Sequence, residues 1–246
     1  MGKKPESLRQ KVRDTLDFFD EIGVEFLSRS SKKAAAKGKT VASETPPSAE
    51  RVKPRTVARN AALLVPIADE ILVCRKCALS RNRAHAVPGE GSIDSGLMFV
   101  GEGPGAEENI QGRPFVGRAG QLLTKIIEAM HFTRPEVFIT NIVKCQPPGN
   151  RAPLHDEIDT CSPYLLRQIE VIQPAVIVAL GSVAANYFVP GEMKISSLRG
   201  TFHDFQSIKV MPTFHPSYLV RNEGNRKLKK DVWDDMQKVM ALLGKK

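Results

Sequence analysis

The sequence predicts an α/β protein of three layers, α/β/α, with a central, mostly parallel four-stranded sheet. Three observations predict it. Four short apolar runs show no polar alternation, as strands buried on both faces do. Segments of helical periodicity separate those runs. The chain has 246 residues, 41% of them hydrophobic, which is enough for one such core and an extension.

The elements follow in order. Residues 5–29 read as an amphipathic helix, with Leu8, Val12, Leu16, Phe19, Ile22 and Phe26 recurring every three or four positions. Residues 30–56 are rich in Ser, Lys, Ala and Pro and lack aromatics. Such a stretch cannot repay the entropy of ordering, so a disordered linker is expected. The division is thus an extension over 1–56 and one domain over 57–246. A helix over 66–73 runs into Cys74. The first strand, 97–100, ends in the turn Gly101-Glu102-Gly103-Pro104-Gly105. A helix at 117–130 precedes a second strand at 137–143. A helix at 155–172 precedes a third, very apolar strand at 175–180. A short helix at 182–188 leads to a fourth strand at 208–212, and a helix at 225–243 closes the chain. Ligands of such sheets sit beyond the carboxyl ends of the strands.

Lys and Arg number 36 against 27 Asp and Glu, a net charge of +9. That balance favours a polyanionic partner such as nucleic acid. Residues 1–65 carry a surplus of 6 and residues 66–246 a surplus of 3, so a solvated basic tail explains the charge equally well. No apolar run is long enough to span a bilayer and the polar start is no signal peptide, so a cytoplasmic protein without membrane attachment is expected.

Cys74 and Cys77 form a C-x2-C pair, and Cys145 and Cys161 follow after a long gap. Four thiols with a tight pair point to metal or cluster ligation rather than disulfides. Their spacing leaves zinc and an iron–sulfur cluster both open. Two loops carry further candidates. In the first, three glycines in five residues after a strand let a backbone approach a ligand. It matches neither a dinucleotide fingerprint nor a P-loop. In the second, Phe214-His215-Pro216-Ser217 follows a buried strand directly. Read singly, the first is also a plain tight turn and His215 also a satisfied core histidine.

Six segments combine these features: C-R-K-C at 74–77, G-E-G-P-G-A-E-E at 101–108, G-R-P-F-V-G-R-A-G at 112–120, T-N-I-V-K-C-Q-P-P-G-N-R-A-P at 140–153, Cys161, and H-P-S-Y-L-V-R at 215–221. In this order they resemble the family-four uracil-DNA glycosylases, the iron–sulfur class of bacteria and archaea. The resemblance covers residues 60–246 and leaves 1–56 unexplained.

It implies a glycosylase-like fold and a monomer that hydrolyses the N-glycosidic bond of uracil in double- or single-stranded DNA, starting base-excision repair. It implies a [4Fe-4S] cluster on Cys74, Cys77, Cys145 and Cys161. Phe115 becomes the stacking platform for uracil. The Asn141 amide pairs with uracil O4 and N3–H, where cytosine presents the opposite donor. His215 donates to O2 as the base leaves. Glu102 and Gly103 stand at the water-activating position. Some sister families place Asp where this chain has Gly103, so Glu102 is left to orient water. Glu108 lies near uracil C5, where it excludes the methyl group of thymine. Asn150, Arg151, Lys144 and Ser217 reach the DNA, and Tyr218 or Leu219 fills the gap left by the base. The extension remains available to a protein partner. Two other readings stand beside this one: a non-catalytic nucleic-acid-binding module stapled by its cluster, and a zinc-stabilised hydrolase acting on nucleotides.

Overall fold

The computed structural model describes residues 57–245. The helix and linker expected over 1–56 lie outside those residues. The helices are α1 (Val57–Val73), α2 (Ala106–Gln111), α3 (Arg118–Ala129), α4 (His155–Ile172), α5 (Gly181–Phe188), α6 (Ile195–Leu198), α7 (Pro216–Arg221) and α8 (Arg226–Leu242). The strands are β1 (Glu90–Gly91), β2 (Leu97–Gly101), β3 (Phe138–Asn141), β4 (Val176–Leu180), β5 (His203–Phe205) and β6 (Ile208–Thr213).

One sheet runs β1-β3-β2-β4-β6-β5. Its middle four strands are the parallel ones, pairing β3 with β2, β2 with β4 and β4 with β6. The expected four strands are therefore present, but the sheet has six. β1 and β5 add antiparallel edges against β3 and β6. At two and three residues they are too short to leave a period in the sequence. Helix α2, Ala-Glu-Glu-Asn-Ile-Gln, escaped for a related reason: none of its residues is buried, so it has no apolar stripe.

Both faces of the sheet are covered, and alternate strand residues serve opposite cores. Leu97, Phe99, Ile139, Val178 and Met211 meet Leu123 and Ile127 of α3 and Trp233, Met236 and Val239 of α8. Met98, Val100, Phe138, Ile177 and Val210 meet Ile67 and Ile71 of α1, Leu165 and Ile169 of α4, and Phe188 of α5. That two-sided burial is why the strands read as unbroken apolar runs. After β2 the chain winds to β3 on one side, then crosses back to place β4 on the other. The crevice where winding reverses opens at the carboxyl ends of β2 and β4.

Candidate active site

A cavity of about 890 Å³ lies at those strand ends. Its walls include Glu102 and Gly103 after β2, Asn141 ending β3, Gly181 after β4 and His215 after β6, with Phe115 from the loop before α3. The topology thus gathers residues up to 113 positions apart onto one rim.

Asn141 is 1% exposed, and its Oδ1 is a buried polar atom without a hydrogen-bond partner among the described residues. Buried polar groups are almost always paired, so an orphan facing a cavity marks a group awaiting a ligand. Across from it stands Phe115, held at φ +50°. Between them lies Gly101. A Cβ there would fall 2.4 Å from Asn141 Oδ1 and 2.5 Å from Phe115 Cζ. Only glycine lets amide and ring close over one strand end.

The His215 ring sits 5.7 Å from that of Phe115. Its Nδ1 accepts the Ser217 backbone N–H at 3.1 Å and lies 2.7 Å from the Ser217 hydroxyl. Burial, reinforced by Arg221 and opposed by Glu108, holds the imidazole pKa down to about 4. The ring is therefore neutral at pH 7. An N–H already donated into Nδ1 leaves the ring proton on Nε2, the nitrogen free to donate. The strand beneath is braced by a buried network. Thr213 donates its hydroxyl to Asp235 at 2.6 Å, and Asp235 accepts from Arg199.

A family model described as the uracil DNA glycosylase superfamily matches residues 88–237. The chain belongs to the uracil-DNA glycosylase superfamily. A type-4 uracil-DNA glycosylase of Thermotoga maritima is 46% identical over 185 residues, covering 74% of this chain and 96% of that protein. One from Saccharolobus solfataricus is 47% identical over 189 residues, covering 73% and 86%. A type-5 uracil-DNA glycosylase of Pyrobaculum aerophilum is 32% identical over 155 residues, covering 56% and 68%.

Against that family pattern, the remaining sequence candidates divide. Glu102 lines the cavity, and burial raises the pKa of its carboxyl. At Gly103 a Cβ would meet Val143 Cγ2 at 2.7 Å, so an Asp in that position has no room beside this valine. Glu108 reaches the cavity wall, but Oε1 accepts the backbone N–H groups of Val116 and Gly117 at 2.8 and 2.9 Å. It caps α3, whose own N-cap is Gly117 with no side chain to do so. Ser217 is spent on His215. Asn150, at φ +55°, accepts from Gln146 at 2.7 Å on the cavity rim, and Arg151 there forks onto Glu157. Arg113 pairs with Glu90 and Arg118 with Glu223 on the surface. Tyr218 is 40% exposed beside the cavity, whereas Leu219 is 2% exposed in the core.

Lys144 corrects the sequence reading most sharply. It does not face solvent at all, being 1% exposed. Its Nζ lies 2.6, 2.7 and 2.8 Å from Thr140 Oγ1, the Asn141 carbonyl and Gln168 Oε1. Burial holds its pKa down to about 7, and an amino group with three polar partners fixes the chain beneath Asn141. The signal was present in the flanking apolar residues Ile142, Val143 and Cys145, which are buried as well.

The four cysteines gather on the far side of β3, around one small pocket shared with Lys144, Arg83 and Tyr164. Cys145 and Cys161 are buried, Cys74 and Cys77 half-buried, and none forms a disulfide. Arg83 donates to Cys145 Sγ at 3.0 Å and the Lys144 backbone N–H to Cys161 Sγ at 3.2 Å. Those bonds favour the thiolate, but burial outweighs them and pushes both thiols up, that of Cys161 to about 11. Among the described residues, no three His, Cys, Asp or Glu side chains converge closely enough to hold a single metal ion.

Proposed function

We propose that this chain is a monofunctional uracil-DNA glycosylase, acting on uracil in duplex or single-stranded DNA, with the cavity as its base pocket. The observation that carries the reading is the buried Asn141 Oδ1, without a partner among the described residues and flanked by Phe115 and a neutral His215. Extruding a base costs a few kcal/mol, which the pocket must recover. Stacking on Phe115 returns roughly 1–3 kcal/mol. The Asn141 amide then accepts from uracil N3–H and donates to O4, which completes its hydrogen bonding.

Cleavage breaks the bond between C1′ and N1, and the electron pair stays on uracil. Negative charge spreads to O2, where His215 donates from Nε2. A donor aimed at the developing charge stabilises the transition state more than the ground state. Water adds to the cationic C1′, with Glu102 orienting it, and gives up a proton to solvent; the uracil anion takes one up, so free uracil and an abasic site result. A dissociative cleavage asks little base strength of that carboxylate. Rim groups Asn150, Arg151 and Tyr218 face the DNA. The extension over 1–56 is read as a recruiting element outside the catalytic domain over 57–246.

The residues fit a [4Fe-4S] cluster on Cys74, Cys77, Cys145 and Cys161: four thiols line one pocket, and two of the sulfurs already accept a hydrogen bond. When bound, it supplies iron–thiolate bonds that cross-link the end of α1, the segment after β3 and helix α4.

The reading is tested on the purified protein with oligonucleotides carrying U·G, U·A, single-stranded U and T·G. Abasic product is expected from the first three only, from brown protein containing iron and sulfide. DNA binding without uracil release would restore the binding-module reading; colourless, zinc-loaded protein would remove the cluster. Gly101→Ala is expected to lower kcat/KM about 10²-fold, since its methyl occupies the gap between ring and amide. An unimpaired Gly101→Ala would place the base elsewhere.

A further inference from the structure

The loop carrying Phe115 is gripped from two sides. Glu108 takes the N–H groups of Val116 and Gly117. On the other side Arg134 donates from Nη2 to the Pro114 carbonyl at 2.8 Å and from Nη1 to the Phe115 carbonyl at 3.0 Å. Nη1 also reaches Thr124 Oγ1 on α3 at 3.0 Å. Four consecutive residues thus have a backbone group bound by one of two charged side chains.

Arg134 is itself fixed. It sits in the turn Arg134–Glu136 before β3, where Glu136 accepts from the Thr133 N–H and hydroxyl at 2.7 Å each. Glu90 on β1 receives Arg134 at 2.6 Å and Arg113 at 2.8 Å. Arg134 is 17% exposed against 61% for Arg113, so the inner pair is the sheltered one. α3 closes the arrangement, because a Cβ at Gly120 would fall 1.9 Å from the Phe115 carbonyl oxygen.

The grip answers a local difficulty. Phe115 occupies the left-handed region, which an aromatic residue adopts only when its surroundings impose it. Released, residue 115 would return to ordinary backbone angles and swing its ring off the cavity wall. A planar fork suits two adjacent carbonyls, whereas an ammonium has no such geometry.

We propose that Arg134, fixed by Glu90, is a positioning residue for base stacking: it holds the Pro114–Phe115 backbone so that the Phe115 ring faces the extruded base. The proposal rests on Phe115 being the stacking platform, and the experiment separates the two. Inhibition of the full-length, cluster-bearing protein by free uracil is measured together with its Tm. The variants are Arg134→Met, Arg134→Lys, Phe115→Ala and the double variant Phe115→Ala/Arg134→Met.

Arg134→Met and Phe115→Ala are each expected to weaken uracil inhibition about tenfold. Adding Arg134→Met to Phe115→Ala is expected to change it by less than about twofold, because the two act through one ring. Arg134→Lys keeps the charge, loses the fork, and is expected to follow Arg134→Met; it also serves if the methionine variant does not fold. An Arg134 variant with lowered Tm and unchanged uracil inhibition, beside a Phe115→Ala that weakens it, would overturn the proposal. Phe115→Ala without effect would overturn the stacking reading first, and the proposal with it.

Discussion

His215→Ala is expected to slow uracil release under single-turnover conditions by about 10²–10³-fold, the usual loss for one donor aimed at developing charge. Affinity for uracil-containing DNA should change by less than about threefold, since the imidazole does most for the transition state and little for the ground state. Equal losses in binding and rate would contradict the role. The pH dependence is part of the same expectation. With its pKa held down to about 4, His215 stays neutral as pH falls through the 6.5 of an unperturbed histidine. The rate should therefore show no acid limb near pH 6.5. Below about pH 5 the second proton arrives on Nδ1, against the Ser217 N–H, and activity should fall. Stability follows with the same sign. An unfolded chain binds this proton at higher pH than the folded one. The folded state is thus penalised progressively from about pH 6.5 downward to about pH 4. A rate profile with a midpoint near 6.5 assigned to His215 would refute the neutral-donor reading.

The second large effect is expected at Asn141. Asn141→Ala should lower kcat/KM for uracil by about 10²–10³-fold, because two polar groups of the bound base are left buried and unpaired. The uncommon part concerns stability. Among the described residues Oδ1 has no partner, so deleting it removes a desolvated atom. Its removal offsets the small cavity left behind. Tm is expected to stay within a few degrees of the parent while activity collapses, a trade of the kind found where a site is built for a ligand. A large fall in Tm would mean that the amide serves the fold.

Legibility in the sequence followed burial pattern and chain locality. β2, β3, β4 and β6 announced themselves because packing on both faces makes them continuously apolar. Helix α4 was bounded residue for residue, opening with Asp156 and Glu157 and ending before Pro174. Phe115, Asn141 and His215 were recognisable only as parts of loops read together, and the cavity does bring all three to one rim. What escaped was long-range or inverted. Glu90 and Arg134 are 44 residues apart, and no local pattern joins them. Glu108 and Ser217 read as ligand contacts in a string; both line the cavity, and each also holds a neighbour through a bond the string does not show. A lysine in a sequence reads as solvated, an expectation that fails at Lys144, where three fixed polar partners surround the amino group.

The reversed backbone at Phe115 bears on how damage is found. A receptacle assembled in advance spends nothing on reshaping itself when a nucleotide arrives. The whole energetic burden of an encounter then falls on the helix being surveyed. Discrimination begins with how readily a pair comes apart, and wobble pairs and frayed ends present their lesions soonest. Such a surveyor registers weakness in the duplex before it reads any chemical group on the base.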